Sequence, residues 1–220
     1  MDRIQKLCAY LERCKTFADV GCDHGYCTRY MLDNGLCEKA IISDISDKCL
    51  NKAKTLLQEY IKKGKCIPVC CSGLEKIDPL TELVLIAGMG GEEIISILKS
   101  SFIPENFVVQ PMRNVREVRE FLLENGAEIT RDEIFSSGGK FYFVICGSRR
   151  AGKSAENSNT YTTAQLEYGK GDLDGDLGAY LCEELQKKRS YLKRDLSAGS
   201  RKRILESIKF TEGVLKGEIR

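Results

Sequence analysis

The first 126 residues alternate between short apolar runs and segments in which apolar residues recur at helical spacing. The run Phe17–Val20 stops at Gly21, and a helix-like stretch from Tyr26 to Leu32 follows at once. An amphipathic helix over residues 3–14 is predicted before this run. Further strands are predicted over Lys39–Ser43, Cys66–Cys71, Leu83–Ala87 and Phe107–Val109, and further helices over Ser46–Lys62, Glu92–Ser100 and Asn114–Asn125. Such alternation is typical of a parallel α/β sheet.

The alternation ends after Gly126. Two strand-like runs, Ala127–Phe135 and Lys140–Gly147, are separated only by Ser136-Ser137-Gly138-Gly139. This short connection predicts a β-hairpin and not another helical crossover. We therefore expect an α/β protein with a Rossmann-like, seven-stranded sheet whose last strand is antiparallel. An ordinary dinucleotide-binding fold would not contain that hairpin.

The C-terminal third has a different pattern. Residues 148–160 are polar and without periodicity, which predicts a linker. Two segments with apolar residues at helical spacing follow, Leu177–Leu196 and Ser200–Leu215, with Ser197-Ala198-Gly199 between them. They predict an antiparallel, coiled-coil-like α-helical hairpin. We expect a Rossmann-like domain over residues 1–147 and the hairpin within residues 161–220.

Charge is divided unevenly between these parts. Residues 1–147 contain 19 Lys and Arg against 21 Asp and Glu, whereas residues 148–220 contain 15 against 11. Between Gln186 and Arg203 there are eight basic residues and one acid, Asp195. A solvated helix face needs fewer basic residues, so contact with a phosphate backbone is the expected use. The eight are Lys187, Lys188, Arg189, Lys193, Arg194, Arg201, Lys202 and Arg203.

Composition narrows the class of protein. Hydrophobic residues are 42% and charged residues 30% of the 220, which allows a sizeable core. No apolar run approaches the length of a membrane span, and the sequence does not open with a basic-then-apolar leader. The eleven cysteines include no C-x-x-C pair, and there is one histidine. We expect buried, reduced thiols in a cytoplasmic protein without a metal site.

Candidate chemistry is concentrated in the turn after the first strand, Gly21-Cys22-Asp23-His24-Gly25. A dinucleotide-binding fingerprint would read G-x-G-x-x-G, but Asp23 stands where the second glycine would be. Asp23 and the nearby Asp19 would repel a pyrophosphate and attract the ammonium and sulfonium groups of S-adenosylmethionine. The alternative is an ordinary strand-to-helix turn in which Asp23 caps the helix.

Residues at the ends of the later strands support a nucleoside-containing ligand. Asp44 lies nineteen residues after Gly25, where an acid can accept hydrogen bonds from ribose hydroxyls, although it could also cap the next helix. Ser72-Gly73 follows the third strand, at the position beside the adenine in this fold. Gly88-Met89-Gly90-Gly91 follows the fourth strand and leaves bare backbone at the edge where open α/β sheets bind ligands.

The sequence resembles the bacterial tRNA (adenine-22-N1)-methyltransferases, the TrmK family, over essentially its whole length. The resemblance rests on Asp19-Val20-Gly21-Cys22-Asp23-His24-Gly25-Tyr26, Gly88-Met89-Gly90-Gly91, Gln110-Pro111 and Gly139-Lys140-Phe141-Tyr142, followed by the helical hairpin. It implies a class I methyltransferase that transfers a methyl group from S-adenosylmethionine to N1 of adenine 22 in tRNA.

The resemblance also implies a set of cofactor-binding residues. They are Asp19, Gly21, Asp23, His24, Gly25, Tyr26, Asp44, Ile45, Ser72, Gly73, Ala87, Gly88, Met89 and Gly90. The chain departs from the family at two positions. Ser72 stands where many relatives have an aspartate for the adenine amino group, and Met112 stands where many have an asparagine. The second departure leaves Gln110 as the polar candidate at that strand end.

The chemistry of adenine N1 suggests what the site must do. N1 carries an in-plane lone pair, so its attack on the methyl group needs positioning more than it needs a base. Methylation leaves the base cationic, and Asp23 is predicted to stabilise that charge, with Gln110 as the second catalytic candidate. The adenine must be unpaired or flipped out, and Tyr26 and Met89 are candidates to stack on it. His24 fits a structural hydrogen-bonding role equally well.

Two alternatives remain at this point. One is a methyltransferase that acts on another RNA, a protein or a small molecule, against which the basic hairpin argues. The other is a non-catalytic RNA-binding protein with a degenerate Rossmann fold, against which the intact glycines and acids argue. A monomer is expected in each case.

Overall fold

A computed structural model of the chain describes residues 2–149 and 160–219. The strands are β1 (Cys14–Val20), β2 (Cys37–Asp44), β3 (Cys66–Cys70), β4 (Leu83–Met89), β5 (Asn106–Pro111), β6 (Ala127–Ser137) and β7 (Lys140–Arg149). They form one sheet in the order β3-β2-β1-β4-β5-β7-β6. The pairs among β1 to β5 are parallel, and β7 is antiparallel to both of its neighbours. The predicted seven-stranded sheet with an antiparallel last strand is confirmed.

Helices cover both faces of this sheet and extend beyond it. They are α1 (Arg3–Cys8), α2 (Tyr26–Asp33), α3 (Asp47–Leu56), α4 (Gln58–Lys62), α5 (Gly91–Lys99), α6 (Val115–Glu124), α7 (Thr163–Tyr168), α8 (Asp176–Tyr191) and α9 (Ala198–Leu215). The predicted helix over residues 3–14 ends early, because β1 already pairs with β2 at Cys14. The predicted helix over residues 46–62 is two helices that meet at the buried Leu57.

The core consists of two apolar layers, one on each side of β4. Leu83 to Ile86 are all buried, as expected of a central strand covered on both faces. Leu7 of α1, Met31 of α2 and Leu50 of α3 pack against one face. On the other face the residues Ile94 and Leu98 of α5, and Val118, Phe121 and Leu122 of α6, pack at the spacing of one helical face.

The β6–β7 hairpin turns through Gly138 and Gly139, whose φ angles are +57° and +71°. Two consecutive positive φ angles are what a two-residue type I′ hairpin requires, and glycine adopts them without steric cost. β7 continues to Arg149, which pairs with Ala127, so Ser148 and Arg149 belong to the sheet and not to the predicted linker. Residues 150–159 of that linker lie outside the described residues.

The C-terminal helices pack against the sheet and against one another. Leu181 of α8 and Val214 of α9 share a buried cluster with Ile134 of β6. The predicted helical hairpin is present, but its turn lies over residues 192–197, because Ser197 caps α9 through a hydrogen bond from the Ser200 N–H. The short helix α7 was not predicted; a capping box formed by Thr162 and Gln165 begins it.

Three elements meet at Ser136 of β6. The Ser136 N–H donates to Oδ2 of Asp176 at the start of α8, at 3.0 Å. The Ser136 carbonyl accepts a hydrogen bond from Nζ of Lys6 in α1, at 2.6 Å. Helix α1, the β6–β7 hairpin and α8 are therefore joined at one residue.

Within residues 2–149 and 160–219, no helix is long and apolar enough to cross a membrane. The same residues contain no cluster of three or more His, Cys, Asp or Glu side chains arranged to hold a metal ion. All eleven cysteines are free. Seven of them are buried: Cys8, Cys22, Cys27, Cys37, Cys66, Cys71 and Cys146.

Candidate active site

A cavity of about 540 Å³ opens at the carboxyl edge of the sheet, where β1, β2 and β4 end. Open α/β sheets bind their ligands at this edge. Most of the predicted cofactor-binding residues line it: Asp19, Gly21, Asp23, His24, Tyr26, Asp44, Ile45, Ser72, Gly73, Ala87, Gly88 and Met89. The sequence motifs are thus brought together at one site, although their individual roles stay predictions.

The turn after β1 is tied to the end of β2. The N–H groups of Gly21 and Cys22 both donate to the Ser43 carbonyl, at 2.8 and 3.0 Å. Gly21 has a φ angle of +71°, in the left-handed region that favours glycine, and the side chain of Met89 lies directly against it. A side chain at position 21 would therefore meet both an unfavourable backbone angle and Met89.

Asp19 is buried at the base of the cavity. Its Oδ2 accepts a hydrogen bond from the Thr28 hydroxyl at 2.8 Å. Burial raises the pKa of Asp19 to about 6, although the Thr28 hydrogen bonds act in the opposite direction. Asp19 therefore changes charge close to physiological pH, and a cationic ligand in the cavity would favour its ionised form.

The end of β2 provides acceptors and an apolar surface. Oδ1 of Asp44 accepts the Ser46 N–H at 2.8 Å, while Ser46 itself caps α3. Ile45 is 76% exposed at the cavity mouth, which suits the face of a flat apolar ring. The hydroxyl of Ser43 is buried, lines the cavity and has no hydrogen-bond partner among the described residues. Buried polar groups are rarely left unpaired, so a ligand atom or an ordered water is expected beside the Ser43 hydroxyl.

Asp23 lies at the exposed rim. It has a φ angle of +41°, and its carboxylate pairs with Nζ of Lys52 at 2.9 Å and with His24 at 3.5 Å. The hydrogen bond from Lys52 lowers the pKa of Asp23, so the carboxylate stays ionised. The N-cap of α2 is Gly25, so Asp23 does not cap that helix. The His24 and Tyr26 rings stack beside it, with centroids 5.4 Å apart.

Gln110, the second catalytic candidate, does not line this cavity. Its side chain is fully buried at the end of β5, where Oε1 accepts from Nη1 of Arg3 at 2.9 Å and Nε2 donates to the Pro111 carbonyl at 3.2 Å. Arg3 covers it and lines the cavity in its place. No sequence motif indicates this role for Arg3, because it is one arginine in an amphipathic helix.

Gly25 and Gly90 also lie outside the cavity lining. A Cβ at Gly25 would lie 3.0 Å from Leu57 and 3.1 Å from Ala53, so this glycine allows α2 to pack against α3. Gly90 is the N-cap of α5 and lies beneath the guanidinium of Arg113. Besides Arg3, the polar residues Ser43, Glu93 and Ser96 line the cavity and were not predicted from the sequence. Ser43 could have been suspected, since it directly precedes Asp44.

The eight basic residues of the hairpin differ in their surroundings. Nζ of Lys188 turns inward and donates to Thr211 at 3.0 Å and Tyr168 at 3.4 Å. Lys187, Arg189 and Lys202 pair with Glu184, Glu212 and Glu206, and Arg201 donates to the Leu192 carbonyl. Arg194 lies over the Tyr191 ring, and the side chains of Lys193 and Arg203 have no ion-pair or hydrogen-bond partner among the described residues. The geometry favours Lys193, Arg194 and Arg203 as the available cations.

Comparisons with known proteins agree with this architecture. Residues 1–145 match a family model described as "Methyltransferase domain". A Mycoplasma pneumoniae protein named "Putative tRNA methyltransferase" is 33% identical over 133 residues, which are 60% of this chain and 62% of that protein. The Bacillus subtilis protein named "tRNA (adenine(22)-N(1))-methyltransferase" is 28% identical over 148 residues, which are 65% of this chain and 62% of that protein.

This chain therefore spans less than two thirds of the length of these curated relatives. The solved structure of M. capricolum TrmK in complex with S-adenosyl-homocysteine is 20% identical, with a TM-score of 0.81, and the match covers 99% of this chain and 98% of that one. It extends over the C-terminal helices as well as the sheet. Since the family model covers well over half of the sequence, the chain belongs to the methyltransferase-domain family.

Proposed function

We propose that this protein transfers a methyl group from S-adenosylmethionine to N1 of adenine 22 in tRNA. The observation that carries the proposal is the charge pattern of the 540 Å³ cavity at the carboxyl edge of a methyltransferase-family sheet. Asp19, Asp23, Asp44 and Glu93 are the acids of its described lining, and Arg3 is the only lysine or arginine there.

That pattern fits the cofactor. S-adenosylmethionine carries an ammonium and a sulfonium group, which the acids would attract, and a single carboxylate, which Arg3 would pair with. Asp44 would accept hydrogen bonds from the ribose, while Ile45 and Ser72 would flank the adenine. The unpartnered Ser43 hydroxyl supports a polar ligand group beside β2. The group this cofactor supplies is a methyl cation equivalent on sulfur.

The reaction does not require the protein to remove a proton from the base, because adenine N1 already carries a lone pair. The bond from adenine N1 to the methyl carbon would form as the bond between that carbon and sulfur breaks. The electron pair of the broken bond would stay on sulfur, and the base would take the positive charge. Asp23, ionised at the cavity rim, would stabilise that charge. Gln110 would act only through Arg3, whose guanidinium it holds by a hydrogen bond.

The choice of tRNA rests on the relatives and on charge. The B. subtilis relative is named for adenine 22 of tRNA, and a neighbour of known structure is M. capricolum TrmK. Lys193, Arg194 and Arg203, near the tip of the α8–α9 hairpin, would provide cations for the phosphate backbone. We take the protein to act in the cytoplasm as a monomer, with residues 161–220 as the RNA-binding part.

A methyl-transfer assay tests the proposal. The full chain is incubated with S-adenosylmethionine labelled in the methyl group and with two tRNA transcripts that differ only in A22 and G22. We expect label in the A22 transcript alone, together with a reverse-transcription stop at position 22, because N1-methylation blocks the pairing edge of adenine. Equal labelling of both transcripts would exclude this target, and binding of tRNA without label transfer would favour a non-catalytic RNA-binding protein.

A further inference from the structure

A second cavity, of about 470 Å³, lies beside the turn that follows β5. Its lining comes from residues 111–117, from Phe141, Tyr142 and Phe143 of β7, and from Glu167 and Tyr180 of the C-terminal helices. None of these residues belongs to the cofactor-binding set. The cavity is formed where the sheet and the C-terminal helices meet.

Two hydrogen-bonded turns separate this cavity from the first one. The Met112 N–H donates to the Met89 carbonyl at 2.8 Å, and the Gly91 N–H donates to the Arg113 carbonyl at 2.9 Å. Met89 lines the first cavity, whereas Met112 and Arg113 line the second. The two cavities therefore adjoin. A polynucleotide with one base in the first cavity could place the next base in the second.

The second cavity has an aromatic side. Phe141, Phe143 and Tyr180 are all half-buried, whereas the ring of Tyr142 lies on the other face of β7, against Phe135 and Arg3. Tyr180 makes edge contacts with the other two rings, with centroids 5.5 Å from Phe141 and 5.2 Å from Phe143. Fixed, partly exposed rings are the surfaces on which proteins stack unpaired bases.

The charges of this cavity leave one cation available. Arg116 is committed to Glu120 at 2.8 Å and to Glu167 at 3.3 Å. Arg113 is exposed and has no ion-pair or side-chain hydrogen-bond partner in the described part of the chain. A Cβ at Gly90 would lie 3.0 Å from its Nε, so the guanidinium lies between the second cavity and the turn after β4. A free guanidinium in this place complements a phosphate.

We propose that the second cavity binds the nucleotide adjacent to the methylated adenine, unpaired, with its base against the aromatic side and a phosphate on Arg113. This inference rests on the proposed function, since it needs an RNA substrate. Glu117 has no ion-pair partner among the described residues and makes its part of the cavity unfavourable for anions, which favours Arg113 as the phosphate site and disfavours an acidic peptide as the ligand.

The first test removes the cation. Arg113→Gln is compared with Arg13→Gln, which removes the same charge from an exposed arginine at the opposite edge of the sheet, next to the start of β1. We expect Arg113→Gln to weaken tRNA binding about tenfold or more and to reduce the salt slope of binding by about one. Cofactor affinity should be the same in both variants. Equal tRNA affinity and equal salt slopes would overturn the inference.

The second test locates the RNA. Met112 is 51% exposed, so a photoreactive p-benzoylphenylalanine can replace it with the loss only of the weak contacts that its sulfur accepts from Gln110 and Arg3. After irradiation of the tRNA complex, we expect a crosslink to a neighbour of the methylated adenine. Crosslinks confined to distant nucleotides would overturn the inference. If the parent protein does not methylate tRNA, the proposed function itself fails; if it does and Arg113→Gln behaves like Arg13→Gln, only this inference fails.

Discussion

At the scale of single residues, the end of β1 and the turn after it place two aspartates in opposite environments. Asp19 is buried and bonded to Thr28, while Asp23 is exposed and paired with Lys52. Burial disfavours the charge of Asp19, whereas the hydrogen bond from Lys52 favours the charge of Asp23. Two aspartates within five residues are therefore suited to different tasks: Asp19 to attracting a cationic ligand in the cavity and Asp23 to stabilising charge at the rim.

We expect the affinity for S-adenosylmethionine to rise between pH 5 and pH 7. The pKa of Asp19 is raised from 3.8 to about 6, so the ligand-free protein holds a proton on this carboxyl through much of that range. A cationic ligand prefers the carboxylate, and its binding strengthens as the proton is lost. Calorimetric titrations across the range should show a steeper rise for the parent than for Asp19→Asn. Parallel curves would assign the pH dependence to another group.

The same pKa has the opposite effect on the ligand-free fold. Because the folded pKa lies above the unfolded one, the folded state binds more protons between about pH 4 and pH 6, and stability falls as the pH rises through this window.

Asp23→Asn should lower turnover more than cofactor affinity. Its proposed task is to stabilise charge that appears on the base only as the methyl group is transferred. The measurement is the rate of methyl transfer at saturating cofactor and tRNA, with Asp195→Asn on the exposed part of the hairpin as the matched control. A rate within about twofold of the control would remove Asp23 from the catalytic candidates.

At the scale of elements, one buried ion pair joins α6, β6 and α7. Arg119 donates to both carboxylate oxygens of Asp132, at 2.8 and 2.9 Å, and both side chains are fully buried. Its Nη1 also donates to the carbonyls of Leu166 and Glu167, at 3.0 and 3.2 Å. The guanidinium thus provides the partners that the end of α7 needs.

Arg119→Met is expected to destabilise the protein by about 3–5 kcal/mol, because it leaves the Asp132 carboxylate buried and unpaired. Urea unfolding of the parent and the variant measures the loss. The double variant Arg119→Met/Asp132→Leu should recover much of the stability, since no buried charge remains. If the single variant is as stable as the parent, the ion pair does not hold α7 in place.

Elements governed by local sequence were predictable. The strand that stops at Gly21 and the turn at Gly138-Gly139 are both determined by neighbouring residues. The break at Leu57 and the early end of α1 were not predictable, because packing of Leu57 and pairing of Cys14 with Cys37 decide them. Helix α7 is six residues long and depends on Arg119, which lies far away in the sequence.

At the scale of the whole molecule, the charge of the hairpin is the feature to test. Lys193, Arg194 and Arg203 are its available cations, so changing these three to Gln should weaken tRNA binding and flatten its salt dependence by up to about three slope units. The control changes Lys62, Lys63 and Lys65, which are exposed near the start of β3. Coincident slopes would mean that the hairpin charge is a solvated face and that the sheet domain holds the RNA.

Point variants are preferable here to removal of residues 161–220. That removal would expose Ile134, Phe141 and Phe143 of the β6–β7 hairpin to solvent. It would also remove the α7 carbonyls to which the buried Arg119 donates hydrogen bonds. The division into a catalytic and an RNA-binding domain stays a prediction.

The candidate site was predictable where the sequence motifs are glycines and acids at strand ends. Arg3 was not, because its place over Gln110 depends on how α1 crosses the sheet. The inward turn of Lys188 was not predictable either, since Thr211 and Tyr168 come from other helices.

We expect the junction at Ser136 to couple the binding of the proposed cofactor to that of the proposed RNA. Ser136 bonds to Asp176 of α8 and to Lys6 of α1, and Lys6 lies one helical turn from Arg3 in the cofactor cavity. If bound RNA shifts α8, the hydrogen bond from Ser136 to Asp176 moves Ser136, and with it the carbonyl that holds Lys6 of α1. Cofactor binding to α1 would act on α8 through the same two hydrogen bonds. We expect the cofactor Kd to differ with and without tRNA, and thermodynamic reciprocity then requires the tRNA Kd to change by the same factor when cofactor is added.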